Sequence, residues 1–201
     1  MLLIGRNTSP FVRRVAVSLR LLDIAFEQNP LSTITDREAV RAYNPMGRIP
    51  ALVLDDQEVL IDSTPILDYL DELAGPERAL VPPSGRARRE VLRLVAFGVG
   101  VMEKTLWSYV ERNHRPEATR HQALLDRYGD QVLAGLTVLE TALGDGWLFG
   151  STLTQADITA VAAYDFLRLV WPDVVPPGHF PKLEALRARA NALPAFADTK
   201  N

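Results

Sequence analysis

The groups best placed for chemistry lie in three short phrases of the first 63 residues. In Asn7-Thr8-Ser9-Pro10 a hydroxyl stands directly before a proline. Serine caps an orphan helix N–H, and proline at the first helical position has no N–H to lose, so a helix starts here. A helix start that follows a first strand is a common place for thiol chemistry. Ser9 read alone is a cap, and Thr8 and Asn7 could do similar work. In Asn44-Pro45-Met46-Gly47-Arg48-Ile49-Pro50-Ala51-Leu52 two prolines bracket a glycine just ahead of a strand, so this is a shaped loop. A cis Ile49-Pro50 bond costs only about 0.5–1 kcal/mol and would turn the Ile49 main chain outward. Outward N–H and C=O groups can pair with an extended peptide as an added strand would. The same residues also read as a plain turn into an edge strand. In Asp62-Ser63 a carboxylate and a hydroxyl meet where a strand gives way to a helix. The helix N-terminus favours a carboxylate and Asp62 favours an amine, which together suit a free α-amino acid head. Simple capping is the default for such a pair.

The elements that must position these groups follow from periodicity. Leu2–Ile4 is a short buried strand ended by Gly5. From Pro10 to Leu22, Val12, Val15, Leu19 and Leu22 share one helical face, with Arg13, Arg14 and Arg20 elsewhere. Ala25–Gln28 is a weak second strand. Thr35 with Glu38 forms a capping box for a helix running to about Tyr43. Ala51–Leu54 and Val59–Ile61, parted by Asp55-Asp56-Gln57-Glu58, read as a hairpin, and a helix follows to Leu73. Strand, helix, strand, helix, hairpin, helix implies a mixed sheet of thioredoxin-like arrangement. Residues 76–85, with Pro76, Pro82 and Pro83, form a linker, and everything beyond is helical. Arg86–Asn113 is apolar nearly all round from Leu94 to Met102, Ala123–Leu143 is amphipathic, and Gln155–Val170 and Lys182–Leu193 complete the set. Thr154-Gln155-Ala156-Asp157 is a second capping box. The expected domains are residues 1–75 and residues 86–201.

Composition narrows the function classes. Net charge is -3 with both signs interleaved, so the basic face that nucleic acid binding needs is missing, and Glu90 interrupts the cluster Arg86, Arg88, Arg89, Arg93. No cysteine is present, which removes disulfides, a cysteine zinc site and a cysteine nucleophile. No metal is expected. The opening MLLI is too short for a signal peptide, and Leu94–Met102 is about half a membrane span, so the chain reads as soluble and cytoplasmic, without a membrane partner.

These pieces, in this order, resemble the soluble glutathione transferases. Ser9-Pro10-Phe11-Val12-Arg13-Arg14-Val15 looks like the start of the serine-type branch, especially plant tau and related bacterial proteins. Asn44 to Leu52 is similar to the family's loop with a cis-proline, Asp62-Ser63 to its acidic-Ser pair, and Thr154–Asp157 to its helical-domain capping box. Pro181-Lys182-Leu183 and Pro194-Ala195-Phe196 resemble its C-terminal helix, so the likeness spans nearly the whole chain. It implies an α/β thioredoxin-like N-terminal domain plus an all-α C-terminal helical bundle, the glutathione transferase fold. Ser9 would donate to the glutathione sulfur. The main chain of Ile49, set by Pro50, would pair with the cysteinyl unit, Asp62 and Ser63 would hold the γ-glutamyl head, and Arg48 would meet the glycine carboxylate. Phe11, Met102, Leu106, Trp107 and Tyr109 are candidates for lining the second site, where a small hydrophobic electrophile would sit, although any one of them reads more readily as core packing. The long helix is apolar on more faces than one core can use, and such surplus surface implies a homodimer.

The size of the chemistry is reasonable. Moving a thiol pKa near 8.5 down by about two units takes roughly 2.7 kcal/mol. One hydrogen bond to a charged group supplies about 1.5–3 kcal/mol and a helix N-terminus about 0.3–1 kcal/mol more. No general base is needed, and His114, His121 and His179 all lie outside the first domain. Two rivals remain at this point. One is a non-catalytic regulatory or binding protein of the same fold; the other is a glutathione-dependent reductase or isomerase. The isomerase branch usually opens on Ser-Ser-Cys, which Thr8-Ser9-Pro10 lacks.

Overall fold

A computed structural model describes residues Met1–Lys200. In chain order the elements are β1 (Leu2–Ile4), α1 (Pro10–Leu21), β2 (Glu27–Asn29), α2 (Arg37–Tyr43), β3 (Ala51–Val53), β4 (Val59–Ile61), α3 (Ser63–Ala74), α4 (Gly85–Asn113), α5 (Gln122–Ala142), α6 (Gln155–Val170), α7 (Pro181–Asn191) and α8 (Pro194–Ala197). They fall into two compact units. One is Met1–Pro83 with the stretch from Asn191 onward; the other is Ser84–Ala190.

In the first unit the four strands lie in the order β2-β1-β3-β4. The β1–β2 pair, joined through a helix, is parallel and the β3–β4 pair, joined by a polar turn, is antiparallel, as those connections imply; β1 and β3 also pair antiparallel. Leu3, Val12, Val15, Leu19, Leu52, Ile66 and Leu70 form the core where α1 and α3 lie on the sheet. The fold therefore has the mixed thioredoxin-like sheet that the sequence pattern implies.

Four details differ from the sequence reading. The second strand is Glu27–Asn29 rather than Ala25–Gln28. The helix after it starts at Arg37, because Asp36 accepts hydrogen bonds from the Ser32 N–H and the Thr35 hydroxyl, both 2.9 Å, and so draws Thr35 away from capping. Arg13 and Arg14, which amphipathic periodicity leaves off the apolar face, are both buried. The end of the chain does not stay with the helical domain. Phe196 is buried as part of the short α8, which packs on α1.

The second unit is all helical. Its long helix α4 is apolar on several sides because α5 and α6 both pack against it. Small residues allow the approach. A Cβ at Gly98 would come within 2.8 Å of Thr159 on α6, and one at Gly135 of α5 within 2.7 Å of Val101. In the first turn of α6 the carboxylate of Asp157 is fully buried and accepts from the Leu148 N–H (2.7 Å), the Thr154 N–H (2.8 Å) and the Thr154 hydroxyl (3.0 Å). The capping box read from sequence is thus also a clamp on the preceding turn. No helix among the described residues is long and apolar enough to cross a membrane.

Removing that carboxylate strands three buried donors, so Asp157→Ala should cost roughly 2–4 kcal/mol, above the ~0.5–2 of an ordinary cap. A urea unfolding series checks this. Burial pushes the Asp157 carboxyl above the ordinary carboxylate range, while its hydrogen bonds pull it back. The folded state therefore holds its proton more tightly than the unfolded chain. Stability carried by this group is present below the ordinary carboxylate pKa and lost as pH rises through the raised value. Subtracting the pH–stability curve of Asp157→Asn from that of the wild type should expose this fall.

Candidate functional site

The register of the sheet brings the three sequence phrases to one place. Ile4, the last residue of β1, pairs with Ala51, the first of β3, and Ala51 pairs with Ile61, the last of β4. Neighbouring strands lie about 4.8 Å apart, so Gly5, Pro50 and Asp62 leave the sheet side by side at one end. The two chains leaving β1 and β3 are in close approach. A Cβ on Gly5, whose φ is 124°, would lie 2.6 Å from a Val12 methyl and 3.0 Å from the Ile49 Cβ.

From that edge α1 begins. Ser9 is half-buried at its N-cap, and its Oγ accepts from the Val12 N–H at a long 3.5 Å. An oxygen that accepts still has its own proton to donate. The loop ahead of it is held by Gln28 of β2, whose amide donates to the Gly5 carbonyl (2.7 Å) and to Asn7 Oδ1 (2.9 Å). Asn7 is thus engaged in fixing the loop, and Thr8 is half-buried beside Ser9.

The loop before β3 is organised by Asn44. Its buried side chain donates to the Arg48 carbonyl (3.0 Å) and accepts from the Met46 N–H (3.0 Å). The Ile49-Pro50 bond is cis. Neither main-chain polar group of Ile49 has a hydrogen-bond partner among the described residues. Arg48 is exposed.

At the third position Asp62 has φ 68° and ψ 142°, a conformation that side-chain-bearing residues rarely adopt. Its side chain accepts from the Thr64 N–H (3.1 Å) and is exposed, while Ser63 is buried at the start of α3. The Ser63 and Thr64 hydroxyls both accept from Nη2 of Arg14, at 2.8 and 2.9 Å. Arg14 and Gln28 are the two residues that sequence reasoning missed. Each acts on a partner more than twenty positions away, which periodicity does not register.

The arrangement offers a hydroxyl donor, an unpaired main-chain edge and an acidic-hydroxyl pair at a helix N-terminus, all at one sheet end. The residues named for a second site are placed unequally. Phe11 is half-buried in the first turn of α1. In the helical unit Met102 is fully buried core, Leu106 and Tyr109 are half-buried, and Trp107 is 54% exposed. A cavity of about 420 Å³ in that unit, lined by Arg112, Leu125, Gly129, Trp171 and Val174 among others, touches none of these four. Among the described residues no cluster of three or more His, Cys, Asp or Glu could hold a metal ion.

Residues 3–78 match the glutathione S-transferase N-terminal domain and residues 122–195 the C-terminal domain. The uncharacterized GST-like protein YibF of Escherichia coli K12 is 34% identical over 83% of this chain and 82% of its own length. The maleylacetoacetate isomerase of Pseudomonas aeruginosa is 35% identical over 78% of this chain and 75% of its own. A glutathione S-transferase from Methylobacterium radiotolerans, solved in complex with glutathione sulfonate, superposes with a TM-score of 0.91 at 29% identity, covering 98% of this chain and 93% of that one. A glutathione S-transferase from Methylobacillus flagellatus with GSH bound gives a TM-score of 0.91 at 29% identity over 98% of both chains.

The loop anchored by Gln28 makes a direct prediction. Gln28→Ala should lower stability by about 1–2 kcal/mol, the worth of two hydrogen bonds. Gln28→Glu should cost at least as much, because it sets a carboxylate against two acceptors. Urea midpoints of the two variants decide the order.

Proposed function

Because the chain belongs to the glutathione S-transferase family, we propose that it binds glutathione at this sheet end and activates the thiol for attack on a small apolar electrophile. The observation that supports the reading is the shared exit of Gly5, Pro50 and Asp62 at one sheet end, with the Ser9 hydroxyl, the free Ile49 main chain and the Asp62-Ser63 pair following from it. An extended tripeptide fits such an arrangement. The cysteinyl main chain pairs with Ile49, the γ-glutamyl head lies at Asp62 and Ser63, and Arg48 is exposed for the glycine carboxylate. The Ser9 O–H donates a hydrogen bond to the sulfur, whose own proton is lost to solvent. Stabilising the thiolate in this way lowers the thiol pKa, and the electron pair of the thiolate then forms the new C–S bond while the electrophile's leaving group departs or its π bond takes up a proton.

A glutathione-dependent isomerase is the second reading, favoured by the 35% identity to the maleylacetoacetate isomerase. The Thr8-Ser9-Pro10 start, without the Ser-Ser-Cys of that branch, supports conjugation instead. Parallel turnover of a chloronitroarene, an organic hydroperoxide, a mixed disulfide and a cis-configured conjugated diketo acid separates the possibilities, and no turnover with intact glutathione binding marks a non-catalytic binding protein. We place the protein in the cytoplasm as a homodimer. Exposed Val59 and Ile61 on β4, and exposed Leu92 and Phe97 on α4, give each unit apolar surface for a partner copy. Sedimentation should give twice the monomer mass at micromolar concentration.

Ser9→Ala should lower the conjugation rate by roughly 10- to 100-fold near neutral pH and raise the bound thiol's pKa by about one to two units, because a charged hydrogen bond is lost. Glutathione affinity by calorimetry should hold, since it comes from the peptide's ends and main chain. Thr8→Ala and Asn7→Ala should slow the reaction less. A rate abolished by either neighbour but not by Ser9→Ala would move the active hydroxyl.

A further inference from the structure

Arg14 is a buried cation without an ionic partner. Only 1% of it is exposed, yet no salt bridge reaches it among the described residues, and its Nε and Nη1 have no hydrogen-bond partner. Among the described residues its only hydrogen bonds run through Nη2, to the Ser63 and Thr64 hydroxyls. Burial pulls its pKa down to about 10, against the Asp62 carboxylate, which raises it, so the side chain stays charged at neutral pH. A charge removed from water costs several kcal/mol unless something compensates it. The Asp62 carboxylate is exposed and turned to cap Thr64, which makes it a weak counter-charge.

Ser63 shows where the compensation comes from. Its Oγ accepts from a guanidinium, so the hydroxyl proton must point away from Arg14. That polarised O–H is a stronger donor than a free serine, because hydrogen bonds in a chain reinforce one another. It stands on the N-terminus of α3, where a carboxylate is already favoured. We propose that Arg14 is a positioning residue that makes this subsite specific for the α-carboxylate of the ligand's γ-glutamyl head. It acts through the Ser63 hydroxyl and serves as the buried counter-charge of that carboxylate. The proposal rests on the glutathione-binding reading above. The α-amine, by contrast, belongs to Asp62, so the two halves of the head are read by separate groups.

Three ligands test this by calorimetry and steady-state kinetics: glutathione, glutaryl-Cys-Gly, which keeps the carboxylate but lacks the α-amine, and 4-aminobutanoyl-Cys-Gly, which lacks the α-carboxylate. Wild-type protein should prefer glutathione to the last by roughly 10- to 100-fold, the worth of one charge-assisted hydrogen bond. In Arg14→Met, glutathione and glutaryl-Cys-Gly should both weaken to near the level of 4-aminobutanoyl-Cys-Gly, whose own affinity barely changes. The loss should fall on KM, with kcat for glutathione little altered. Arg14→Lys keeps the charge without the two-hydroxyl fork and should recover part of the discrimination; it also serves if the Met variant does not fold. A loss of equal size for all three ligands, or unchanged discrimination in Arg14→Lys and Arg14→Met, would show Arg14 to be purely structural while the glutathione reading stands. Wild-type protein that binds no glutathione at millimolar concentration would overturn both.

Discussion

The pairing of Ala51 with Ile4 on one side and Ile61 on the other is the contact on which the site depends. A slip of one residue in either ladder would invert every side chain of the strand, so Leu3 and Leu52 would leave the core that α1 and α3 cover. Burial thus fixes register, and register fixes which residues emerge together at the sheet's end. Gly5 shows how little slack remains there. No side chain fits between Val12 and Ile49, and at φ 124° the backbone itself favours glycine.

Both helices that leave this end begin there. The chain runs from β1 into α1 and from β4 into α3, so two helix N-termini, each carrying about half a positive charge, face the same neighbourhood. The peptide proposed to bind here, with a thiolate in its middle and a carboxylate at its head, would carry two anionic points for two such termini. Ser9 and Ser63 then do the same job at the two starts. Each accepts from the protein and keeps a proton to donate outward. The difference is in what stands behind them, a weak 3.5 Å contact from the Val12 N–H for Ser9 and a guanidinium for Ser63.

What could be read from the residue order was local. Ser9-Pro10, the cis-proline loop, the hairpin with its polar turn and the Thr154–Asp157 box all rest on interactions within a few residues, and all have the structure their chemistry implies. Where the reading failed, a distant partner, a competing local turn or an element too short to carry a period decided the outcome. Periodicity puts Arg14 off the apolar face but not into the core, because its partners sit 49 and 50 positions on. The α2 start was misplaced because Ser32 and Asp36 close a small loop that competes with the Thr35 cap. The short α8 was invisible because four residues carry no period, and only the burial of Phe196 makes sense of them. Side-chain candidates on α4 were the hardest, since a helix packed on two faces by α5 and α6 has apolar residues in every direction, and Met102 proves to be core.

Two buried charges in this chain show how structure separates scaffold from function. Asp157 and Arg14 are both almost wholly removed from water. Three donors converge on Asp157, two from main chain and one from a hydroxyl, all within one small turn and helix start. Nothing is left for a ligand to supply, and the group reads as a clamp. Arg14 is satisfied at one nitrogen only among the described residues, its two acceptors are neutral hydroxyls, and those hydroxyls open α3, at the head subsite proposed above. A fold that needed only mechanical support at this point could use an apolar side chain of similar size, which often costs nothing or stabilises. Keeping a charge there makes physical sense when an anion completes it, and the proposed route runs through the Ser63 proton, which a carboxylate outside can accept while the guanidinium polarises it from inside.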